Sequence, residues 1–201
     1  LLMLDEPLGA MDRTLREQLS QELRRVLRES KVPAIYVTHD QEEAYAIADR
    51  LLLLHNGVIL QSGKPHEFYH HPHNVWVAEF FGLGNLIKGR VLQNHPLQVK
   101  TPLGMIQASC DPPPPHEGQK RTLLFRPSQA HRRAGDTPNQ ISGKVIDQIF
   151  QGENYRVTLQ INEAVPFFNI VLNDPVEVGE QITIGYRASD VLCLVNGEET
   201  A

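Results

Sequence analysis

Apolar positions follow two different rhythms along this chain, and the rhythm changes near residue 82. Leu1 to Leu4 form an unbroken apolar run, the pattern of a strand buried on both faces of a parallel sheet. Pro7 and Gly9 interrupt it. Leu15, Leu19, Leu23, Val26 and Leu27 then recur at helical spacing. Arg16, Glu17, Glu22, Arg24, Arg25, Arg28 and Glu29 fill the other positions and read as a solvated face. Asp12 stands where an N-cap is needed. Ala34 to Thr38 make a second buried strand, and Asp40 with Glu43 has the spacing of a capping box opening another helix. Asn56-Gly57, set between two β-type runs, is a strong hairpin signal. Pro65 and Asn74 start two short helices, and Gly82 ends the second.

Beyond residue 82 the pattern is β-type throughout. The runs "LIKGRVL", "GMIQAS", "RTLLFR", "ISGKVIDQIF", "NYRVTLQI", "VPFFNIVL", "EQITIGYR" and "VLCLV" are separated by turn residues. Such spacing predicts a small barrel or sandwich. The expected architecture is the tail of an α/β domain with a parallel sheet over residues 1–82, followed by an all-β domain over 83–201. Asp111 to Pro115, "DPPPP", reads as an extended surface loop.

Composition narrows the classes. Apolar content of 41% and charged content of 21% fit a folded globular chain. Nineteen basic against 24 acidic residues give a net charge of −5, with no basic block, so a nucleic-acid partner is not expected. No apolar run reaches the ~20 residues that cross a bilayer. Cys110 and Cys193 show no metal or redox spacing and read as free thiols.

The chemistry concentrates at strand ends. An apolar strand ending in Asp5-Glu6 places two carboxylates at the carboxyl edge of a sheet, where open α/β folds bind ligands. Phosphoryl transfer uses one carboxylate to hold Mg²⁺ and another group to orient or deprotonate the attacking water. His39 ends the second strand at the same edge.

With those residues in place, "LLMLDEP", "LGAMD" and "VTHDQEEA" resemble, in order and spacing, the Walker B motif, D-loop and H-loop of an ABC transporter ATPase subunit. "DRLLLLHNGVILQSGKPHEFYHHPHNVWVAEFFG" is similar to the end of that domain in bacterial and archaeal importers. "LFRPSQAH" and "VEVGEQITIGYRASDVLCLV" resemble strands of a transport-associated OB-type (TOBE) regulatory domain. The resemblance implies a partial P-loop NTPase nucleotide-binding domain followed by an OB-like barrel. It implies Asp5 as the aspartate associated with Mg²⁺ through water, Glu6 as general base, His39 as the γ-phosphate switch and Asp12 as the D-loop aspartate reaching across a dimer. ATP and Mg²⁺ follow as ligands. A homodimer, transmembrane permease subunits and a substrate-binding protein follow as partners, with the protein cytoplasmic and peripheral at the inner face of the membrane. Gly9 and Met11 depart from the usual Ser-Ala-Leu-Asp D-loop, which weakens the cross-dimer assignment.

No segment satisfies G-x-x-x-x-G-K-[ST], and the Q-loop and Leu-Ser-Gly-Gly-Gln signature are absent as well. A chain that starts inside the domain accounts for all three absences, and such a fragment is expected to be inactive alone. The alternative is a regulatory or dimerisation module that binds a small ligand through its OB-like domain. His66, His70, His71 and His73 invite a metal reading, but Pro72 breaks the spacing and the segment reads as a connector. Tyr155, Phe167 and Phe168 read as strand-packing aromatics rather than a nucleic-acid stacking surface.

Overall fold

The computed structural model describes residues 1–132, 135 and 137–196. The chain divides into two compact units, Leu1–Pro72 and His73–Ala201.

In the first unit, β1 (Leu2–Asp5) and β2 (Ala34–Val37) form a two-stranded parallel sheet, in register from Leu2 opposite Ala34 to Asp5 opposite Val37. Between them runs α1 (Arg13–Ser30), capped by Asp12, whose carboxylate accepts from the Leu15 amide at 3.0 Å. After β2 come α2 (Gln41–Ile47), the hairpin of β3 (Leu51–His55) and β4 (Val58–Gly63), and α3 (Pro65–His70). Asn56 and Gly57 both take positive φ, +49° and +78°, the geometry a two-residue hairpin turn demands.

The expected double burial of the first two strands is not what the described residues show. Leu1, Met3, Ile35 and Val37 stand exposed, because the pair carries no third strand and no layer covers these side chains. Helix α1 departs from its pattern in the same way. Its apolar stripe is only partly covered, with Leu19, Leu23 and Leu27 partly buried and Leu15 and Val26 exposed. Of the positions read as solvated, Glu17, Glu22, Arg25 and Glu29 are exposed, while a row of arginines beside them meets α2 and the residues around it. Arg13 bonds Glu42, Arg16 bonds Asp40, Arg24 bonds the Ala46 carbonyl and Arg28 bonds Asp49, with Ser20 buried among them in the helical register.

The second unit opens with α4 (Val75–Phe80), whose Asn74 cap accepts from the Val77 amide at 3.0 Å. The strands β5 (Asn85–Asn94), β6 (Leu97–Thr101), β7 (Gly104–Gln107), β8 (Lys120–Phe125), β9 (Asn139–Phe150), β10 (Tyr155–Gln160), β11 (Phe168–Leu172), β12 (Gln181–Tyr186) and β13 (Val191–Leu194) follow. They form a five-stranded sheet, ordered β13-β8-β5-β6-β7, and a four-stranded sheet, ordered β11-β10-β9-β12. One core draws on both: Val91, Val99, Leu123 and Phe125 from the first, Val145, Val157, Ile170 and Ile184 from the second. At its centre Phe125, Phe168 and Tyr186 meet edge to face, with ring centroids 5.3 to 6.3 Å apart. The Tyr186 hydroxyl donates to the Arg126 carbonyl, and burial pushes its ionisation well above the ordinary range.

The division falls before α4 rather than after Gly82 as the sequence pattern suggests. The reason is packing: β8 is buried on both faces, and its outer face, Leu124 with Leu192 and Leu194 of β13, is covered by Ala78 of α4 and Leu83. Strand β6 was not among the eight runs expected; Leu97 and Val99 point inward from a segment flanked by Pro96 and Pro102. Phe168 is fully buried as a strand-packing aromatic, whereas Phe167 is 68% exposed and packs into no core.

Candidate functional site

The parallel register of β1 and β2 brings their carboxyl ends to one edge. Past Asp5 the Glu6 amide still donates to the Val37 carbonyl at 2.9 Å, so the ladder runs on to Glu6. There the backbone turns, with Glu6 at φ +44°, a left-handed conformation that costs a non-glycine residue of order 1 kcal/mol. Two tight turns follow: the Gly9 amide donates to the Glu6 carbonyl and the Met11 amide to the Leu8 carbonyl, with the Leu8 side chain buried beneath. The chain then enters α1 at Asp12.

On the second strand the β2 exit carries His39, and its Nδ1 lies 2.9 Å from Glu6 Oε1. A carboxylate at that distance takes the imidazole N–H as a donor, which leaves Nε2 pointing elsewhere. The hydrogen bond and charge of Glu6 raise the His39 pKa above the ordinary imidazole value. Both side chains are open to solvent. Asp5 ends β1 opposite Val37, also exposed. Asp12 makes its contact at the start of α1, through its cap. Of the four residues singled out from sequence, the structure thus joins Glu6 to His39, sets Asp5 beside them in the chain, and gives Asp12 a capping bond.

Behind this edge lies a polar network that sequence reasoning passed over. Asp40 caps α2, accepting from the amides of Glu42 at 2.8 Å and Glu43 at 3.1 Å. The expected capping box is only half formed. The Asp40 amide donates to Thr38 Oγ1, and the Glu43 carboxylate turns inward to accept from Tyr36 at 2.7 Å and Thr38 at 2.9 Å. Glu43 is almost fully buried. Arg16 of α1 closes the network: one guanidinium nitrogen donates to Asp40 Oδ2 at 2.7 Å, another to the Met11 carbonyl at 2.8 Å, and Nε sits 3.5 Å from Glu43. Burial opposes the charged form of Asp40, yet the Glu43 and Glu42 amides and the Arg16 guanidinium hold its carboxyl below the ordinary range. Burial and then the Glu43 carboxylate push the Tyr36 hydroxyl far up. One signal in the sequence did point here: Tyr36 and Thr38, two positions apart on a strand, present two hydroxyls to one face.

The histidines at 66, 70, 71 and 73 run along α3 and its exit, and no group of three or more His, Cys, Asp or Glu side chains is placed to hold a metal ion among the described residues. No helix among the described residues is long and apolar enough to cross a membrane. Cys110 and Cys193 are free thiols, and burial raises the latter to about 12.

Residues 123–194 match the TOBE domain. The chain is 34% identical to the spermidine/putrescine import ATP-binding protein PotA of Pseudomonas fluorescens, over 91% of this chain and 52% of that protein. It is 36% identical to the Fe(3+) ions import ATP-binding protein FbpC of Streptomyces avermitilis, over 96% and 54%. It is 30% identical to PotA of Acetivibrio thermocellus, over 100% and 55%. The chain therefore spans about half the length of the curated relatives it matches.

Proposed function

The chain is a relative of the ATP-binding subunits of ABC-type import systems and carries a TOBE domain, and from that premise we propose that its first unit supplies the water-activating part of an ATP site. The observation that carries this reading is the 2.9 Å contact between Glu6 and His39 at the shared carboxyl edge of β1 and β2.

The chemistry follows from the geometry. Glu6 is an exposed carboxylate with one oxygen on His39 and the other available to accept a proton from an attacking water. His39, with Nδ1 committed to Glu6 and its pKa raised by that carboxylate, offers Nε2–H as a donor to a phosphate oxygen when the ring is protonated. Asp5 is an oxygen ligand of the kind Mg²⁺ takes, directly or through water. An ion held there would supply neutralisation of the phosphate charge that develops during transfer. Asp12 is the residue offered toward a partner subunit, beside its capping role.

No G-x-x-x-x-G-K-[ST] segment occurs in the 201 residues, so nothing in the sequence provides the amide cradle and lysine that hold the phosphates. We therefore expect this chain alone to bind ATP weakly and to turn none over. In the whole protein the same residues would act in a homodimer, peripheral to the inner face of the membrane and working with permease subunits and a substrate-binding protein. The test is ATP hydrolysis by the 201-residue chain with Mg²⁺. A rate abolished by Glu6→Gln would overturn the inactivity, and a full-length relative indifferent to the matching Glu substitution would overturn the catalytic role.

One observation favours a second reading, in which the β unit is a ligand-responsive module. An open cleft of about 880 Å³ in that unit is lined in part by Arg132, Thr137, Asn154 and Arg187. A thermal-shift panel of oxyanions, polyamines and sugars separates the two: no shift with any ligand removes the module reading.

A further inference from the structure

The segment carrying Glu6 and the segment carrying His39 are not bonded to each other only through the exposed Glu6–His39 pair. Arg16 spans the two from behind. Its guanidinium holds the carbonyl of Met11, whose amide closes the second of the turns that follow Glu6, and at the same time the carboxylate of Asp40, the residue next to His39. Glu43 lies beside the same guanidinium and is itself fixed by the hydroxyls of Tyr36 on β2 and Thr38 just past its end, the residue before His39. The guanidinium presents its N–H donors on separate nitrogens of a rigid planar fork, so Nη1 and Nη2 reach the two loops at once at fixed angles, whereas an ammonium is a single point charge on a flexible stem. The arrangement is also the better shielded one. The Arg16, Asp40 and Glu43 side chains are 27%, 22% and 2% exposed, against 76% and 52% for His39 and Glu6. The exposed pair gains little by itself in water, whereas the shielded network is much less screened.

We propose that Arg16 is a positioning residue that fixes the approach of His39 to Glu6 by clamping the turn after β1 to the turn after β2. The inference rests on the reading of Glu6 and His39 as the reacting pair, but its test does not need turnover.

The charged groups acting on His39 are Glu6 from the β1 exit and Asp40 and Glu43 from the start of α2, and Arg16 from α1 is bonded to the last two. That set makes the experiment decisive in sign. The His39 imidazole is titrated by NMR in the 201-residue chain, in Arg16→Gln, in Arg16→Lys and in Glu6→Gln. If Arg16 acted only as a nearby positive charge, removing it would free Asp40 and Glu43 to attract a proton, and the His39 pKa would rise. If Arg16 positions the loops, its loss lets Glu6 drift from His39, and the pKa falls toward that of Glu6→Gln. Arg16→Lys keeps the charge without the fork, and the same fall is expected. It also stands in if Arg16→Gln does not fold, judged by circular dichroism. An unchanged or raised His39 pKa in the folded variants overturns the proposal. Failure of the catalytic reading registers separately, as an Mg²⁺-ATPase rate in a full-length relative that survives substitution of its matching Glu and His.

Discussion

Glu6 and His39 meet at 2.9 Å in full view of solvent, so their contact is governed by charge state more than by packing. The carboxylate raises the His39 pKa, which means the pair contributes while His39 is protonated. That contribution is complete below the unfolded imidazole value and is lost as pH rises through the raised folded one. Replacing Glu6 by Gln is expected to return His39 toward about 6.5, an ordinary imidazole. An NMR titration of the variant that matches wild type would deny the contact in solution. Asp12 is tested differently: Asp12→Ala removes the bond to the Leu15 amide and should weaken the first unit by about 1 kcal/mol, seen as a lower urea midpoint for its helical signal. Both residues were legible in the sequence, since a carboxylate at a strand end and an Asp before a periodic run announce themselves. Arg16 was not. Helical periodicity scores an arginine as polar and outward, and nothing along α1 reveals that acidic partners wait on the next helix.

At the scale of elements, local signals did well where chemistry is local and failed where burial is decided at a distance. Asn56-Gly57, Pro65 and Asn74 each dictate a turn or a helix start through their own backbone demands, and each does so here. Strand β6 is short and fenced by prolines, so its alternation of Leu97 and Val99 carried little weight beside longer runs. Helix α4 goes with the β unit because β8 and β13 offer it an apolar face, a fact of the sheet rather than of the helix. The join between the two sheets was equally hidden. Asn139, at the start of β9, is fully buried, and its amide bonds Gln107 both ways, accepting from its N–H at 2.7 Å and donating to its carbonyl at 2.8 Å. Asn139→Ala strands both groups of a partly buried backbone, at a cost of about 3 kcal/mol by the usual penalty for unmet buried partners. Urea denaturation of the β unit's near-ultraviolet signal checks this; a midpoint that does not move would mean water replaces the amide.

Across the whole molecule the two units are built on unequal cores. The large apolar side chains buried in the first unit, among the described residues, are Leu8, Ile47, Leu53 and Phe68, while Leu1, Met3, Ile35, Val37, Leu52, Leu54, Val58 and Ile59 stand exposed. Both apolar clusters lie in the second unit. A unit of this size with so little buried surface gains little from the hydrophobic effect, and its order leans on the arginine bonds between α1 and α2. The sequence, rich in apolar runs at its beginning, gave no warning, because periodicity tells which residues seek burial and not whether a partner layer exists. Native-state hydrogen exchange should therefore show a wide gap. Amides of β2 and α1 should open at a small fraction of the free energy that protects β8, β9 and β12, and a dye that binds apolar surface should bind the native chain. Salt should widen the gap, since screening weakens the exposed arginine pairs of α1, Arg13 and Arg28, and leaves the β core untouched. Equal protection in both units would mean that the first unit buries its apolar strands in solution against a surface of its own or of another copy, and the unequal-core account would fall.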